Sequence, residues 1–485
     1  MTQSNLSNTE AIYNRIDKYR DMVTDDPYRL HYHLMPPVGL LNDPNGLVFF
    51  KGKYHVFYQW NPFETAHGIK YWGHYISDDL IHWEPAPIAL APDQWYDKDG
   101  CYSGSAIVHN GKMYLFYTGN VKDESNNRES YQCMAVSENG ISFEKKGPVI
   151  HIPEGYTSHF RDPKVFYKDN LWYMVIGAQT IEGNGEVVLY SSPDLENWDF
   201  LGPIAGSNKN GLGEFGYMWE CPDLFTLHGK DLLIFSPQGL EAEGYRYNNV
   251  FQSGYLAGDL DLHGVTFKHG TFDELDRGFD FYAPQTTNDN DGRRILFGWM
   301  GNAETCDTPQ PTVRNHWIHA LTIPRQLEWK DGKLYQRPVE ELEQLRENGV
   351  NYTGVEFREQ EKKLEGVKGT VFELQIAITE WQAESFSVNI GHNNRLIYNQ
   401  SKKTFTFQRK RFTDDTVEYR HCQLDTLEKI HLFKDSSSIE VFLNNGQEVF
   451  SSRVFDEPDT KEITFSVDGT VTADVYRWNL KKVCE

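Results

Sequence analysis

A repeat with a period of about 60 residues constrains the fold of this 485-residue chain more than any other feature of its sequence. Each repeat has a leading turn, a strand, a polar tip and a second strand rich in aromatic residues. The leading positions are 43, 103, 162, 222 and 284. A further segment recurs in repeats one and three, as Ser77-Asp78-Asp79-Leu80-Ile81-His82-Trp83 and Ser192-Pro193-Asp194-Leu195-Glu196-Asn197-Trp198.

Short strands repeated at this period are typical of a β-propeller with four strands per blade. Because five repeats span residues 31–338, we predict an all-β chain whose main domain is a five-bladed propeller. The 12 Trp, 27 Tyr, 29 Phe and 39 Gly also favour many short strands and tight turns over a helical protein.

The segments on either side of the repeats predict three further units. Residues 1–30 form an N-terminal extension, in which a capping pattern and helical spacing of apolar residues predict a helix over 7–23. Residues 339–354 are predicted to form a linker helix. Residues 355–485 alternate apolar and polar positions between closely spaced turns, which predicts a β-sandwich. We expect this domain to brace the propeller or to form a subunit contact, such as that of a homodimer.

Charge and composition exclude several classes of protein. The formal net charge of −23 argues against nucleic acid or an anionic membrane as a partner. No apolar run approaches the roughly 18–20 residues of a membrane span, and the N-terminus lacks the pattern of a secretory signal. The six cysteines form no Cys-x-x-Cys pair and the histidines are dispersed. We therefore predict a cytoplasmic protein with reduced thiols and with neither metal nor cofactor.

Three carboxylates recur near the start of their blades. Since blades stack radially, equivalent positions converge at one end of the central channel. We assign Asp43, Asp162 and Glu220 to the same position of blades one, three and four and expect them to face one funnel. Like charges this close cannot all keep ordinary pKa values, so at least one pKa should rise toward that of a proton donor. The alternative for each acid alone is that it caps the first turn of its blade.

The candidate substrate-binding residues are polar side chains that can hydrogen-bond a sugar, together with aliphatic and aromatic side chains that can line its apolar walls. They are Leu40, Leu41, Asn42, Gln59, Phe63, Trp72, Tyr102, Ser103, Arg161 and Trp299. Propeller blades also use aromatic residues for packing, which is the alternative for Phe63, Trp72 and Trp299. Cys221 could tune its neighbour Glu220, although a buried structural role is commoner for such a cysteine.

Four motifs occur in order and at blade spacing: Asn42-Asp43-Pro44-Asn45-Gly46, Tyr102-Ser103-Gly104-Ser105, Phe160-Arg161-Asp162-Pro163 and Trp219-Glu220-Cys221-Pro222-Asp223. Together they resemble glycoside hydrolase family 32, the family of invertases, fructanases and sucrose-6-phosphate hydrolases. The resemblance covers essentially the whole chain. It implies a five-bladed propeller followed by a β-sandwich, a small sugar substrate, and hydrolysis of β-fructofuranosides with retention of configuration.

The resemblance also implies roles for the three acids. Asp43 resembles the nucleophile, Glu220 the general acid/base and Asp162 the stabiliser of the transition state. Retention through a covalent fructosyl-enzyme predicts that the carboxyl groups of Asp43 and Glu220 lie about 5–5.5 Å apart.

The choice between free and phosphorylated sucrose depends on weaker features. Many secreted invertases have a Trp-Met pair where this chain has Leu40-Leu41, so the chain more resembles the intracellular sucrose-6-phosphate hydrolases. A phosphorylated substrate needs a cation near its phosphate. The candidates are four basic residues in predicted loops, each of which could equally be a solvated surface charge: Lys122, Arg128, Arg246 and Arg314.

Three alternatives remain open. A non-catalytic sugar-binding propeller would also collect aromatic and amide side chains. A fructan hydrolase or fructosyltransferase would use the same site on longer substrates or with a sugar acceptor. An inverting relative on the same propeller would have a wider carboxyl gap, about 6.5–9.5 Å.

Overall fold

A computed structural model describes residues 3–304, 309–358, 361–414 and 416–483, with side chains from residue 8 onward. Helix α1 (Gln3–Thr24) contains the helix predicted over 7–23. Ile12 and Val23 on this helix are buried in the same apolar cluster as Leu30 and Tyr32, which follow it. The extension therefore packs onto the propeller. No helix among the described residues is both long and apolar enough to cross a membrane.

Five antiparallel sheets follow, and they confirm the predicted all-β, five-bladed propeller. Blade one contains β1 (Gly39–Phe50), β2 (Lys53–Asn61), β3 (Tyr71–Ser77) and β4 (Trp83–Pro85). Blade two contains β5 (Cys101–His109), β6 (Lys112–Lys122), β7 (Arg128–Ser137) and β8 (Glu144–Ile150). Blade three contains β9 (Tyr156–Lys168), β10 (Leu171–Thr180), β11 (Gly185–Ser192) and β12 (Asp199–Gly206).

The last two blades carry small additions to this plan. Blade four contains β13 (Met218–Leu227), β14 (Lys230–Gln238), β15 (Gly254–Asp261), β16 (Thr266–His269) and β17 (Asp273–Glu274). Blade five contains β18 (Tyr282–Asn288) and β19 (Arg294–Met300) and, after the separate strand β20 (Trp317–Ile318), β21 (Ala320–Leu321), β22 (Arg325–Lys330) and β23 (Lys333–Pro338).

Strand β20 joins the last blade to the first. It leaves blade five and pairs in parallel with β1, placing Trp317 opposite Gly39 and Ile318 opposite Leu40. Backbone hydrogen bonds therefore tie the two ends of the propeller together. The sequence analysis did not predict this closing strand, because two residues are too few to carry a recognisable pattern.

The innermost strand of every blade contains an irregularity at the same place. The ladder register shifts between Leu41 and Pro44, Tyr102 and Gly104, Arg161 and Lys164, Glu220 and Asp223, and Tyr282 and Gln285. Such a β-bulge sets extra residues of one strand against its partner and re-aims their side chains. Three residues beside these shifts have left-handed backbones: Asp162 (φ 68), Cys221 (φ 49) and Ala283 (φ 47).

The predicted linker helix over 339–354 is only partly present. One 3₁₀ helix, Glu340–Leu345, follows the propeller, and a strand, β24 (Arg346–Phe357), replaces the rest. This strand pairs with β32 (Ile463–Leu480). Asn348 and Gly349 are poor helix formers. As part of a strand, this segment has its backbone N–H and C=O groups satisfied by pairing with β32.

The C-terminal domain is sandwich-like, as predicted, and is built from one nine-stranded sheet. Besides β24 and β32 it contains β25 (Phe372–Ile390), β26 (Asn394–Asn399), β27 (Thr404–Lys410), β28 (Val417–Gln423), β29 (Lys429–Asp435), β30 (Ser438–Leu443) and β31 (Glu448–Arg453). The long strand β25 pairs with β29 at its start, with β26 at its end and with β32 throughout. The sheet encloses one apolar cluster that includes Leu374, Phe405 and Phe450.

Buried charges join this domain to the propeller. His33 Nδ1 lies 2.8 Å from Asp435 Oδ2, and its Nε2 lies 3.0 Å from Glu440 Oε1. The other oxygen of Glu440 accepts a 2.6 Å hydrogen bond from Arg325 of blade five. All four side chains are fully buried. We call these four residues the interdomain ion cluster.

Candidate active site

The bulges bring two neighbouring positions of each inner strand to one end of the channel, which we call the funnel. Counted from the proline at the bulges of blades one, three and four, Asp43 and Asp162 come one residue before it, whereas Glu220 comes two before Pro222. The expectation that all three acids share one position is therefore wrong for Glu220. In a regular strand adjacent side chains would face opposite sides, but the bulge lets both positions contribute to the funnel.

Asp43 is held by neighbours from its own blade and from blade two. Its Oδ1 accepts a 3.1 Å hydrogen bond from Asn42 Nδ2, and its Oδ2 accepts a short one from the Ser103 hydroxyl. Gln59 connects these donors, since its Oε1 lies 3.2 Å from Asn42 Nδ2 and its Nε2 lies 2.5 Å from Ser103 Oγ. Burial raises the pKa of Asp43 and the charge of Glu220 adds to this, while the two hydrogen bonds oppose it.

Asp162 and Cys221 link the second acid to the first. Asp162 Oδ2 accepts a 3.0 Å hydrogen bond from the Cys221 backbone N–H. The Cys221 thiol lies 3.6 Å from Asp162 Oδ2 and 3.8 Å from Asp43 Oδ2. Burial, followed by the charges of Asp162 and Asp43, raises the pKa of this thiol, so it stays protonated and donates. Cys221 therefore makes its hydrogen-bonding contacts with the two aspartates and not with Glu220.

Glu220 is the most strongly hydrogen-bonded of the three acids. Its Oε1 accepts 2.9 Å and 2.6 Å bonds from Arg161 Nε and Nη2. Its Oε2 accepts bonds of 2.6 Å from the Tyr282 hydroxyl and 2.8 Å from Gln238 Nε2. Burial acts to raise the pKa of Glu220, but Arg161 and Tyr282 outweigh it and the pKa is lowered.

The raised pKa expected of one carboxyl is therefore found at the aspartates and not at Glu220. Burial raises the pKa of Asp162 to about 7; Glu220 and Asp43 add to the rise, and Arg161 opposes it. Interacting acids of this kind titrate as a group. In the sugar-free protein the directions of the pKa changes favour a proton on the aspartate side of the group over one on Glu220.

Lys70 is a member of the site that the sequence analysis missed. Its ammonium group donates a 2.8 Å hydrogen bond to Asn42 Oδ1, and the residue is only 4% exposed. Burial lowers the pKa of Lys70 to about 7, although Asp43 opposes this. The sequence signal that could have identified Lys70 was its position as a single charged residue between Ile69 and the apolar pair Tyr71-Trp72. Gln238 and Tyr282 were also not assigned to the site, because their roles depend on blade packing.

Three of the predicted substrate-binding residues are packed inside the propeller. Trp72 is fully buried, and its ring centroid lies 5.8 Å from that of Phe57 and 6.2 Å from that of Tyr117. Leu40 and Leu41 are buried beside the closing strand, at 1% and 0% exposure. These hydrophobic residues that flank the motif complete the core between blades, and their contact with a bound sugar stays a prediction.

Two of the remaining aromatic candidates, Trp299 and Tyr102, lie beside residues of the funnel. Trp299 is 1% exposed, and its ring lies 6.1 Å from that of Tyr282, the partner of Glu220. Phe63 and Tyr102 are half-buried. The Tyr102 backbone oxygen accepts a 3.0 Å hydrogen bond from Trp72 Nε1, which fixes the strand immediately before Ser103. Across the described ranges, no group of three or more His, Cys, Asp or Glu side chains could hold a metal ion.

Comparison with known proteins assigns the family. Residues 33–338 match the model of the N-terminal domain of glycosyl hydrolases family 32, and residues 341–481 match that of its C-terminal domain. The chain belongs to glycoside hydrolase family 32. This confirms the family indicated by the four motifs, and the protein is accordingly a glycoside hydrolase.

Members of glycoside hydrolase family 32 with named activities resemble the chain over its full length. A sucrose-6-phosphate hydrolase of Bacillus subtilis (strain 168) is 49% identical, covering 99% of this chain and 100% of the relative. The structure of a sucrose-6-phosphate hydrolase from Lactobacillus gasseri is 32% identical with a TM-score of 0.88, covering 97% of both chains. A β-fructofuranosidase of Bombyx mori, solved as a mutant in complex with sucrose, is 32% identical with a TM-score of 0.84, covering 98% of this chain and 99% of the other.

Proposed function

We propose that this protein hydrolyses the β-fructofuranoside bond of sucrose 6-phosphate and of sucrose, releasing fructose through a covalent fructosyl-enzyme. The observation that carries the proposal is the funnel itself. Asp162 is buried there, Asp43 and Glu220 are half-buried, Cys221 contacts both aspartates, and Arg161 hydrogen-bonds Glu220. The similarity to sucrose-6-phosphate hydrolases supports the phosphorylated substrate.

In the first step, an oxygen of Asp43 forms a bond to the anomeric carbon of fructose while the bond from that carbon to the bridging oxygen breaks. Glu220 gives its proton to the departing oxygen, so the remaining sugar leaves as an alcohol. Asn42 donates to one oxygen of Asp43 and Ser103 to the other, which orients the carboxylate for attack. Asp162 stabilises the positive charge that develops on the ring.

The proton must reach Glu220 before this step. A bound sugar displaces water from the funnel, and burial is the largest influence raising the pKa of Glu220. Sugar hydroxyls that donate hydrogen bonds to Asp162 favour its ionised form. Binding therefore moves the proton retained by the group of acids from Asp162 toward Glu220.

In the second step, Glu220 acts as a base. It takes a proton from water, whose oxygen attacks the anomeric carbon and breaks the bond to Asp43. Fructose is released in the β configuration, and Glu220 is again protonated. The separation of about 5–5.5 Å between the carboxyls of Asp43 and Glu220 stays a prediction of this mechanism.

The test compares kcat/KM for sucrose 6-phosphate and sucrose in the natural chain and in Asp43→Asn. We expect turnover of both sugars by the natural chain and a loss of about 10⁴-fold or more in the variant, because its amide cannot act as the nucleophile. The matched control is Asp169→Asn. Asp169 is exposed at a hairpin tip with φ 50, a conformation that asparagine tolerates.

Product analysis separates the alternatives. β-Fructose as the first product, observed by NMR, supports retention, whereas α-fructose indicates an inverting relative. Fructosylated sucrose formed at high sucrose concentration indicates a fructosyltransferase. A folded natural chain that turns over neither sugar contradicts the proposed substrates and favours fructans.

We further propose that the protein acts in the cytoplasm on a small sugar substrate. Free, buried thiols at Cys101, Cys133, Cys221 and Cys422 support a reducing compartment. The predicted reduced state of Cys306 and Cys484 lies outside the described residues. The homodimer also stays a prediction, which light scattering of the purified protein would test.

A further inference from the structure

A hairpin at the end of blade two presents two cations side by side. Strand β6 ends at Lys122 and β7 begins at Arg128, and the register places these two residues directly opposite each other. The connecting turn is fixed by Asp123, whose Oδ1 accepts 2.8 Å hydrogen bonds from the backbone N–H groups of Ser125 and Asn127. The positions of the two cations are therefore set by the ladder and by a braced turn.

Neither side chain has an anionic partner within the described part of the chain. No ion pair or side-chain hydrogen bond joins Lys122 or Arg128 to another described residue; only the Lys122 backbone N–H donates, to Asp99 Oδ2 at 2.7 Å. Like charges directly opposite each other in an antiparallel pair destabilise it. The chain has 70 acidic residues against 47 basic ones, so two adjacent cations without a carboxylate indicate an anion from outside.

The pair lies beside the funnel. The Arg128 guanidinium is 5.5 Å from the centroid of the Tyr102 ring, and Tyr102 precedes Ser103, a hydrogen-bond partner of Asp43. Arg128 is also close enough to His159 to be among the charges that lower its pKa to about 4, after burial and Arg161.

A chain of contacts leads from Arg128 to Glu220, the proposed proton donor. His159 Nδ1 lies 2.9 Å from Arg161 Nη1, and Arg161 Nη2 lies 2.6 Å from Glu220 Oε1. Because Glu220 protonates the departing oxygen, the side of the funnel nearest Glu220 receives the leaving sugar. A substituent on that sugar would lie at the edge of the funnel next to Glu220.

We propose that Arg128 and Lys122 form a subsite that binds the phosphate of a phosphorylated leaving sugar and so sets the preference for sucrose 6-phosphate over sucrose. The inference rests on the proposed function. Arg128 supplies the planar fork that matches phosphate oxygens in pairs, and Lys122 supplies a second point charge. Phosphate between them removes the repulsion across the hairpin.

Of the other two cations considered from sequence, one is engaged elsewhere and one is exposed on a 3₁₀ helix. Arg246 Nη2 donates a 2.8 Å hydrogen bond to the Phe272 backbone oxygen, and its guanidinium stacks 4.7 Å from the Tyr247 ring centroid. Arg314 is exposed on the 3₁₀ helix Pro311–Asn315, which packs near α1. The structure thus distinguishes among four residues that the sequence left equivalent.

The experiment measures kcat/KM for sucrose 6-phosphate and for sucrose, and takes their ratio, in the natural chain, Arg128→Ala, Arg128→Lys and Lys122→Ala. We expect the ratio to fall by about 30-fold or more in Arg128→Ala, since charged hydrogen bonds to the phosphate are lost. Arg128→Lys should recover part of the ratio, and Lys122→Ala should lower it less. The matched control is Arg314→Ala, in which the ratio should be that of the natural chain.

A second readout uses inorganic phosphate as a competitive inhibitor of sucrose hydrolysis. We expect inhibition of the natural chain to weaken by at least tenfold in Arg128→Ala. If the natural chain prefers sucrose 6-phosphate and Arg128→Ala keeps both the preference and the inhibition, the subsite is wrong while the proposed function stands. If the natural chain hydrolyses both sugars without preference, the subsite is overturned while the proposed function stands; if it hydrolyses neither, the proposed function itself fails. Melting temperatures of all variants confirm that each is folded.

Discussion

At the scale of single residues, each carboxyl in the funnel is controlled by a different donor. Asp43 depends on the Ser103 hydroxyl, and Glu220 depends on Tyr282 and Arg161. In the proposed mechanism Asp43 must be ionised and Glu220 protonated. The two limbs of a bell-shaped pH profile of kcat, which reports the sugar-bound enzyme, should therefore respond to different mutations.

Ser103→Ala should move the acidic limb of kcat, which reports the sugar-bound enzyme, to higher pH. The Ser103 hydrogen bond acts to lower the pKa of Asp43, so its loss raises that pKa and leaves less of the ionised nucleophile in acid. We expect kcat for sucrose to fall by about tenfold at low pH and less at neutral pH. Hydrolysis followed from pH 4 to 9 tests this. An unchanged acidic limb would assign it to a group other than Asp43.

Tyr282→Phe should move the alkaline limb instead. The Tyr282 hydroxyl is among the groups that lower the pKa of Glu220, so its removal raises the pKa and keeps the acid protonated to higher pH. We expect kcat/KM near pH 6 to fall by roughly tenfold, because one charge-assisted hydrogen bond is lost.

The control for this variant is Tyr190→Phe, which removes a buried hydroxyl whose raised pKa is caused by burial alone. Its pH profile should be that of the natural chain. A Tyr282→Phe profile that loses height without shifting would show that Tyr282 positions Glu220 but does not set its protonation.

At the scale of elements, the bulge in each inner strand is what builds the site. In blade two the bulge requires glycine at position 104, since a Cβ there would lie 1.9 Å from the Phe116 backbone oxygen and 2.6 Å from Tyr117 Cα. In the sequence, Gly104 is marked by the motif Tyr102-Ser103-Gly104-Ser105. It did not show that the reason is close approach of the neighbouring strand.

Gly104→Ala should therefore destabilise the propeller by about 3 kcal/mol, because the obstructing atoms are backbone and cannot turn aside. Gly111→Ala in the same blade is the matched control. Gly111 lies at the hairpin tip with φ 72 and nothing within 4 Å of its added Cβ, so only the left-handed backbone costs about 1 kcal/mol. Urea unfolding followed by tryptophan fluorescence measures both. Equal losses would show that strand β6 moves to admit the methyl group.

At the scale of the whole molecule, the interdomain ion cluster ties the N-terminal segment, blade five and the C-terminal domain together. Hydrogen bonds to Asp435 and Glu440 raise the pKa of His33 to about 8 even though burial acts to lower it. In the unfolded chain the pKa of a histidine is about 6.5. The folded form thus holds the proton more tightly than the unfolded one.

This difference predicts how stability depends on pH. The stabilisation from His33 is fully present below pH 6.5 and is lost as the pH rises through about 8, a change of about 2 kcal/mol. We expect the free energy of unfolding to fall by this amount between pH 6 and pH 9. In His33→Gln this fall should be absent, although the variant is less stable throughout because two buried acids lose their partner.

The control is His82→Gln, which removes an exposed histidine paired with Asp79 and should leave the alkaline loss of stability intact. Equilibrium urea unfolding at half-unit steps of pH gives the comparison. A natural chain with flat stability from pH 6 to 9 would contradict a protonated His33 in the cluster.

The number of blades and the fold of both domains could be predicted from the sequence, and the roles of the three acids stay predictions that the sequence supplies. Strand periodicity, turn residues and the spacing of about 60 residues are local properties of the chain. They can therefore be recognised without knowing how the strands pack. The family motifs around Asp43, Asp162 and Glu220 are likewise contiguous in the chain.

Only the folded chain shows where in the funnel each of the two adjacent residues of a motif lies. It also decided that Leu40, Leu41 and Trp72 pack inside, that Lys70 joins the site, and that the raised pKa lies at Asp162. The closing strand and the interdomain ion cluster also depend on the tertiary structure, since they join segments distant in sequence; His33 and Asp435 are 402 residues apart. Burial, register and charge proximity depend on segments distant in sequence, and these are the quantities that set the chemistry of the site.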